Sequence, residues 1–254
     1  MASAIFRFYA ELNDFLPPER RQRAFEYAFD RRAAIKDVVE ALGVPHTEID
    51  LITIDGEPAG FDHILRNGER VGVYPMFEAF DIAPLARLRP RPLRTPRFVL
   101  DAHLGTLARY LRLLGFDTLY RNDYDDAELA AISAEEHRIL LTRDRGLLKR
   151  RIVTHGAFVR DDRPRAQLKD IVTRLDLAGL VQPFSRCAGC NGVLEPVEKR
   201  EIEHRLEPKT RLYYDRFLRC ANCGHIYWKG SHFARMEKLV EELVTTSEAP
   251  LPKG

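Results

Sequence analysis

Residues 98–120 read FVLDAHLGTLARYLRLLGFDTLY, and residues 137–151 read HRILLTRDRGLLKRR. Phe98, Val99 and Leu100 form a short, wholly apolar run of the kind that becomes a buried strand. Leu104, Leu107, Ala108 and Leu111 then recur at helical spacing until Gly115, where a helix would stop. Together they predict one β-α unit. The pattern repeats as a strand over Asp117–Tyr120, a helix through Leu129 and Ile132, and a strand over Arg138–Thr142. A short helix at Leu147, a strand over Ala157–Val159 and a helix from Pro164 follow. Such alternation predicts an α/β fold, a parallel sheet with helices on both faces.

Working outward, Ala4–Tyr9 alternates as a strand, and Arg20–Ala41 is predicted helical, with Phe25, Phe29 and Val38 among its apolar positions. Strands are predicted at Ile49–Ile54 and Val71–Tyr74, with turns at Asp55-Gly56 and Asn67-Gly68. A small α+β unit therefore precedes the α/β segment. Between them runs RLRPRPLRTPR (87–97), in which prolines keep the backbone extended and arginines repel one another. It predicts a stiff linker, and its arginines also suit contact with phosphate.

Lys and Arg total 40 against 38 for Asp and Glu, so net charge selects no class of partner. Arg7 and Glu11 interrupt the first apolar stretch, which argues against a signal peptide, and no window approaches a membrane span. A soluble, cytoplasmic protein without a membrane partner is expected. All the cysteines fall in two C-x-x-C pairs, Cys187/Cys190 in CAGC and Cys220/Cys223 in CANCG, leaving none for a disulfide framework. Two knuckles supply four soft thiolates, which suits a tetrahedral, closed, structural zinc site. A thioredoxin-like redox pair is the competing reading; it needs one such motif at a helix start and a group that selectively lowers one thiol's pKa, and neither is legible. His225 and His232 follow the second knuckle as outer-shell or surface histidines. The gap between the knuckles mixes Tyr213, Tyr214 and Phe217 with Lys209, Arg211 and Arg216, suited to core packing or to stacking on bases.

In an open α/β sheet, ligands collect beyond the carboxyl ends of strands. Asp101 follows FVL and Asp144 follows ILLTR; each alone reads as a helix cap. Asp123, Asp125, Asp126 and Glu128 follow the second strand, and Asp161 and Asp162 the fourth. Converged at one rim, such carboxylates need a divalent cation, and hard oxygen ligands suit magnesium or manganese. That chemistry fits phosphodiester hydrolysis, with Arg109, Arg112, Arg143, Arg145, Lys149, Arg150 and Arg151 nearby to hold a substrate.

The strings FVLDAHLGTLARYLRLLGFDTLYRND, HRILLTRDRGLLKRR, the two knuckles and CGHIYWKGSHFARM (223–236) resemble the Mut-seven C-terminal RNase family, a branch of PIN-like nucleases. The likeness covers roughly Arg97 to Leu239 and implies a PIN-like fold carrying a zinc ribbon. It implies that Asp101, Asp126 and Asp144 are the catalytic acids, with Asp101 and Asp144 on the catalytic metal; Asp162 is the candidate fourth. IFRFYAELNDFLP (5–17), HTEIDLITIDG (46–56) and ERVGVYPMFE (69–78) resemble the ubiquitin-like β-grasp domain that often precedes this nuclease. Sulfur carriers of that fold end in Gly-Gly; here Tyr74-Pro75 runs on into Met76-Phe77, so docking is the expected role.

The expected division is a β-grasp domain at 1–85, a linker at 86–97, a PIN-like nuclease at 98–182, a zinc ribbon at 183–240 and a tail at 241–254. The expected activity is a metal-dependent ribonuclease, with Arg109, Arg143 and Arg145 binding substrate, zinc on the four cysteines, and magnesium or manganese at the aspartates. RNA is the expected partner, with tRNA or another structured RNA as candidates, along with a protein docked on the β-grasp domain. The alternative is a non-catalytic RNA-binding or protein-docking adaptor on the same scaffold.

Overall fold

The computed structural model describes residues 2–30, 32–75, 96–230 and 238. Most of the arginine linker, Met76-Phe77, His232 and the tail at 241–254 lie outside the described residues. In chain order the elements are β1 (Ala2–Phe8), β2 (Phe25–Phe29), α1 (Ile35–Ala41), β3 (Ile49–Ile54), β4 (Glu57–Ala59), β5 (Arg70–Pro75) and β6 (Phe98–Leu100). Next come α2 (Gly105–Leu113), β7 (Thr118–Tyr120), α3 (Asp126–Glu135), β8 (Ile139–Thr142), α4 (Arg145–Leu148), β9 (Gly156–Phe158) and α5 (Pro164–Arg174). The chain continues through β10 (Leu194–Val197), α6 (Lys199–Ile202), α7 (Pro208–Tyr213), β11 (Phe217–Cys220) and β12 (Ile226–Trp228). It packs as two units, residues 1–101 with 124–160, and residues 102–123 with 161–254.

The first unit opens with a five-stranded sheet in the order β2-β1-β5-β3-β4. The central β1–β5 pair is parallel and the other neighbours are antiparallel. Phe6 and Phe8 alternate inward from β1 and join Ile35, Val38 and Val39 of α1 in one core with Ile49, Ile52, Val71 and Val73. Burying each of those rings contributes about 2–3 kcal/mol. A two-residue turn at Asp55-Gly56, both with positive φ, closes β3 onto β4 as that dipeptide predicts.

The predicted helix over Arg20–Ala41 is corrected. Phe25–Phe29 is a strand paired with β1, and only Ile35–Ala41 is α-helical. Phe25 and Phe29 are four apart, a spacing shared by one helix face and one strand face. Tyr27 between them decides for the strand, because all three rings then point to the same side. The rings of Phe25 and Tyr27 pack on Phe6 at 6.4 and 6.0 Å.

The same unit holds three parallel strands in the order β6-β8-β9, with Leu100 opposite Leu141 and Thr142 opposite Phe158. Their residues are almost wholly buried, as expected for parallel strands covered by helices. Helix α3 packs on β6 and β8, and α4 on β8 and β9.

In the second unit α2 packs against β7 and α5. Gly115 ends α2 with φ +96°, and a Cβ there would sit 2.3 Å from the carbonyl oxygen of Gln182, so glycine is required twice over. The ribbon is the antiparallel sheet β10-β11-β12, with small cores at Cys187, Leu194 and Cys220 and at Ile202, Phe217 and Ile226. Among the described residues no helix is long and apolar enough to cross a membrane.

Candidate active site and metal centre

The register of β6 against β8 sets Asp101 beside Thr142, each one residue past a paired leucine. The Asp101 amide donates to the Leu141 carbonyl at 3.1 Å, prolonging the ladder. The hydroxyl of Thr142, wholly buried, donates to Asp101 Oδ2 at 2.6 Å and accepts from the Asp144 amide at 2.9 Å. One hydroxyl thus uses its single proton on one proposed catalytic aspartate and its lone pair on the backbone of the other. Sequence reasoning missed Thr142, although a hydroxyl residue at a strand end two positions before a capping aspartate was the available signal.

Asp144 is the N-cap of α4, its Oδ1 accepting from the Gly146 amide at 2.6 Å. Asp125, not Asp126, caps α3: its Oδ1 accepts from the amides of Ala127 and Glu128, and Glu128 returns a bond to the Asp125 amide. Asp126 is then the first helical residue, exposed, with Oδ2 3.7 Å from Arg150. Asp123 and Asp161 are surface ion-pair partners of Arg121 and Arg163, whose hydrogen bonds hold both carboxyls below the usual range. Asp162 is exposed beside that second pair and belongs to the other unit, as does the exposed Arg109. Among the described residues, the four cysteines are the one group of three or more His, Cys, Asp or Glu side chains gathered to hold a metal ion, and no carboxylate trio is so gathered. The Thr142 hydroxyl thus links the Asp101 carboxylate to the backbone amide of Asp144 at this strand end.

Of the candidate basic residues, Arg143 and Arg145 flank Asp144 and are exposed. Lys149 is engaged by the Glu40 carbonyl at 2.6 Å. Arg112 is no substrate cation: it is 5% exposed and donates to the carbonyls of Thr118 (2.9 Å), Ala188 (3.3 Å) and Gly189 (2.8 Å).

Ala188 and Gly189 lie inside the first cysteine knuckle, so Arg112 bolts that knuckle to α2. Asn191, at φ 68°, completes the anchor: its Oδ1 accepts from the Thr118 amide and its Nδ2 donates to Asp117. The four sulfurs all lie within 4.8 Å of one another, with Cys187–Cys223 at 3.7 Å and Cys190–Cys220 at 3.3 Å. These separations are too long for disulfides and close to the roughly 3.8 Å edge of a tetrahedron with metal–sulfur bonds near 2.3 Å. The cluster can hold zinc. Gly192 is needed beside it, since a Cβ would meet the Cys220 sulfur at 2.8 Å.

Burial pushes the Cys187 thiol up, but hydrogen bonds from the Tyr227 hydroxyl (3.1 Å) and backbone amides outweigh it and bring it to about 7. Burial, with the neighbouring thiols, pushes Cys190 up to about 12. A selective thiol-lowering group, not legible in the sequence, therefore exists in Tyr227; the gathering of four sulfurs nonetheless marks a ligand set rather than a redox pair. Tyr214 and Phe217 pack in the ribbon, whereas Tyr213 is exposed, which divides the aromatic cluster between core and surface. His225 is exposed, its ring 4.8 Å from that of Tyr227.

Residues 96–240 match the family model described as Mut7-C RNAse domain, and residues 1–81 match that described as Mut7-C ubiquitin. No curated protein matches the chain. A solved structure, SAMP1 from Haloferax volcanii, is similar over 31% of this chain and 100% of its own, at 17% identity and a TM-score of 0.25.

Proposed function

The chain belongs to the Mut7-C RNAse domain family, and on that premise we propose that it is a metal-dependent ribonuclease cutting RNA phosphodiester bonds at the ends of β6 and β8. The observation that carries this reading is the Thr142 hydroxyl bridging Asp101 and the amide of Asp144. Asp101 and Asp144 would hold a magnesium or manganese ion, which supplies Lewis acidity at the phosphoryl group when bound. Asp126 serves as a third acid. Arg143 and Arg145 position the phosphate beside Asp144. Zinc on the cysteines shapes the ribbon without performing chemistry, because four sulfurs leave no open position. The β-grasp domain at 1–85, the linker at 86–97, the nuclease at 98–182 and the ribbon at 183–240 then act in the cytoplasm on RNA, tRNA or another structured RNA. A protein partner docks on the first domain.

A non-catalytic adaptor is the second reading, favoured by the engagement of Asp144 as a helix cap and of Asp126 with Arg150. A cleavage assay on mixed RNA and single-stranded DNA with manganese decides between them. Asp101→Asn and Asp144→Asn are each expected to lower RNA cleavage by at least about 100-fold. Equal activity in all three proteins would remove the catalytic assignment, and RNA retention without cleavage by the wild type would establish the adaptor.

A further inference from the structure

Arg145 is held by contacts that do not neutralise its charge. Its guanidinium lies over two rings, Phe15 at 5.0 Å and Phe158 at 5.4 Å, and Nη1 reaches the Phe15 carbonyl at 3.5 Å. Among the described residues it pairs with no carboxylate, and it is exposed. The other arginine on Phe15 differs: Arg160, 5.7 Å from that ring, is also paired with Glu48 at 3.3 Å and Asp14 at 3.4 Å.

Phe15 comes from the 3-10 turn Ala10–Phe15 of the β-grasp region, whereas Phe158 ends β9, and both lie in the first packed unit. The two rings meet edge to face at 5.6 Å. Phe15 is 5% exposed, and further contacts hold the two regions together. Glu48 accepts from the Phe158 amide, His46 Nε2 meets the Val153 carbonyl at 2.9 Å, and Lys149 reaches Glu40. Stacking a guanidinium on aromatic faces restrains a long, flexible side chain while leaving N–H edges for a phosphate.

We infer that Phe15 is a positioning residue for Arg145, so that the β-grasp region completes the RNA phosphate-binding edge of the nuclease. This rests on the ribonuclease reading for its substrate class, but its test does not require cleavage. The 254-residue chain is examined as wild type, Phe15→Leu, Phe15→Tyr, Arg145→Gln and the Phe15→Leu/Arg145→Gln double variant, without added divalent metal. Anisotropy of a labelled single-stranded RNA reads affinity, and the Arg145 Nε–H resonance reads ring-current shielding. Phe15→Leu is expected to weaken RNA binding roughly 5- to 10-fold, Phe15→Tyr to stay within about twofold of wild type, and Phe15→Leu to add less than about twofold to Arg145→Gln. The shielding persists with tyrosine and disappears with leucine.

Unchanged affinity in Phe15→Leu, or no RNA binding by the wild type, would overturn the inference. An equal further loss in the Arg145→Gln background would reduce Phe15 to general packing, and an unshielded Arg145 in the wild type would remove the positioning. RNA binding through Arg145 with no cleavage under any metal defeats the ribonuclease reading and leaves this inference standing.

Discussion

The cysteine cluster and the aspartates proposed as the catalytic rim are built in opposite ways. At the cysteines, four donors of one kind lie within 4.8 Å of one another, and the bonds around them tie the knuckle to its neighbours. At the rim, Asp101 is bonded to Thr142, Asp144 caps α4 and Asp126 faces Arg150, and among the described residues no trio of carboxylates is gathered to hold a metal ion. Thiols can crowd because crowding keeps most of them protonated, as burial and the neighbouring thiols do at Cys190, until a metal replaces their protons, whereas ionised carboxylates repel and must be held apart by other partners. The cysteine site is therefore assembled in advance, while the proposed rim keeps its acids on separate hydrogen bonds, as the ribonuclease reading requires of a site that admits substrate.

The largest test of this contrast is loss of metal from the ribbon. Cys187→Ser, or a strong chelator, is expected to release one zinc per chain and unfold β10–β12. The effect should be of several kcal/mol, since structural zinc supplies roughly 10 kcal/mol or more to small domains. The single tryptophan, Trp228, lies in β12, so its emission reports on the ribbon alone. Mild chelation of magnesium should abolish cleavage with no change in that emission. If both signals vanished together, the two sites would not be separable as drawn.

Next in size is the bolt between knuckle and helix. Arg112→Met keeps the volume of the buried side chain but leaves the carbonyls of Thr118, Ala188 and Gly189 without their charged donor. A loss of about 2–3 kcal/mol in denaturant stability is expected, read at Trp228, with RNA affinity per folded molecule unchanged. A large drop in affinity instead would restore Arg112 to the substrate-binding residues.

Legibility in the sequence follows the same division. Each cysteine knuckle is local, so C-x-x-C spacing alone specifies two ligands, and the second pair completes the set. The α/β alternation was equally readable because every element carries its own period. What failed was Phe25–Phe29, where a four-residue spacing serves helix and strand alike. What was missed was Thr142, because its partner lies forty-one residues away and only the register of β6 on β8 brings them together. Arg112 was misassigned for a related reason: an arginine on an amphipathic helix gives no local sign that a distant turn will cover it.

Thr142 provides the third test. Thr142→Val preserves shape, removes the donor to Asp101 and the acceptor for the Asp144 amide, and should cost about 2 kcal/mol. Cleavage should fall at least about tenfold beyond what the lost stability explains, and Thr142→Ser should recover most of it, because serine restores the hydroxyl. Equal activity in the valine and serine variants would mean that Asp101 and Asp144 need no common link.

The smallest expected effect separates two adjacent aspartates. Asp125 closes a capping box with Glu128, so Asp125→Ala should lower stability by about 1 kcal/mol while leaving cleavage per folded molecule near wild type. Asp126, exposed at the first turn with only a 3.7 Å pair to Arg150, should show the reverse in Asp126→Asn: stability within about 0.5 kcal/mol and cleavage clearly reduced. The crossed pattern is what the ligand assignment requires, because a cap acts on the helix and a metal ligand acts on the reaction. Should Asp125→Ala abolish cleavage while Asp126→Asn does nothing, the third acid of the rim would be Asp125, and its bonds to α3 would have to be exchanged for the metal during turnover.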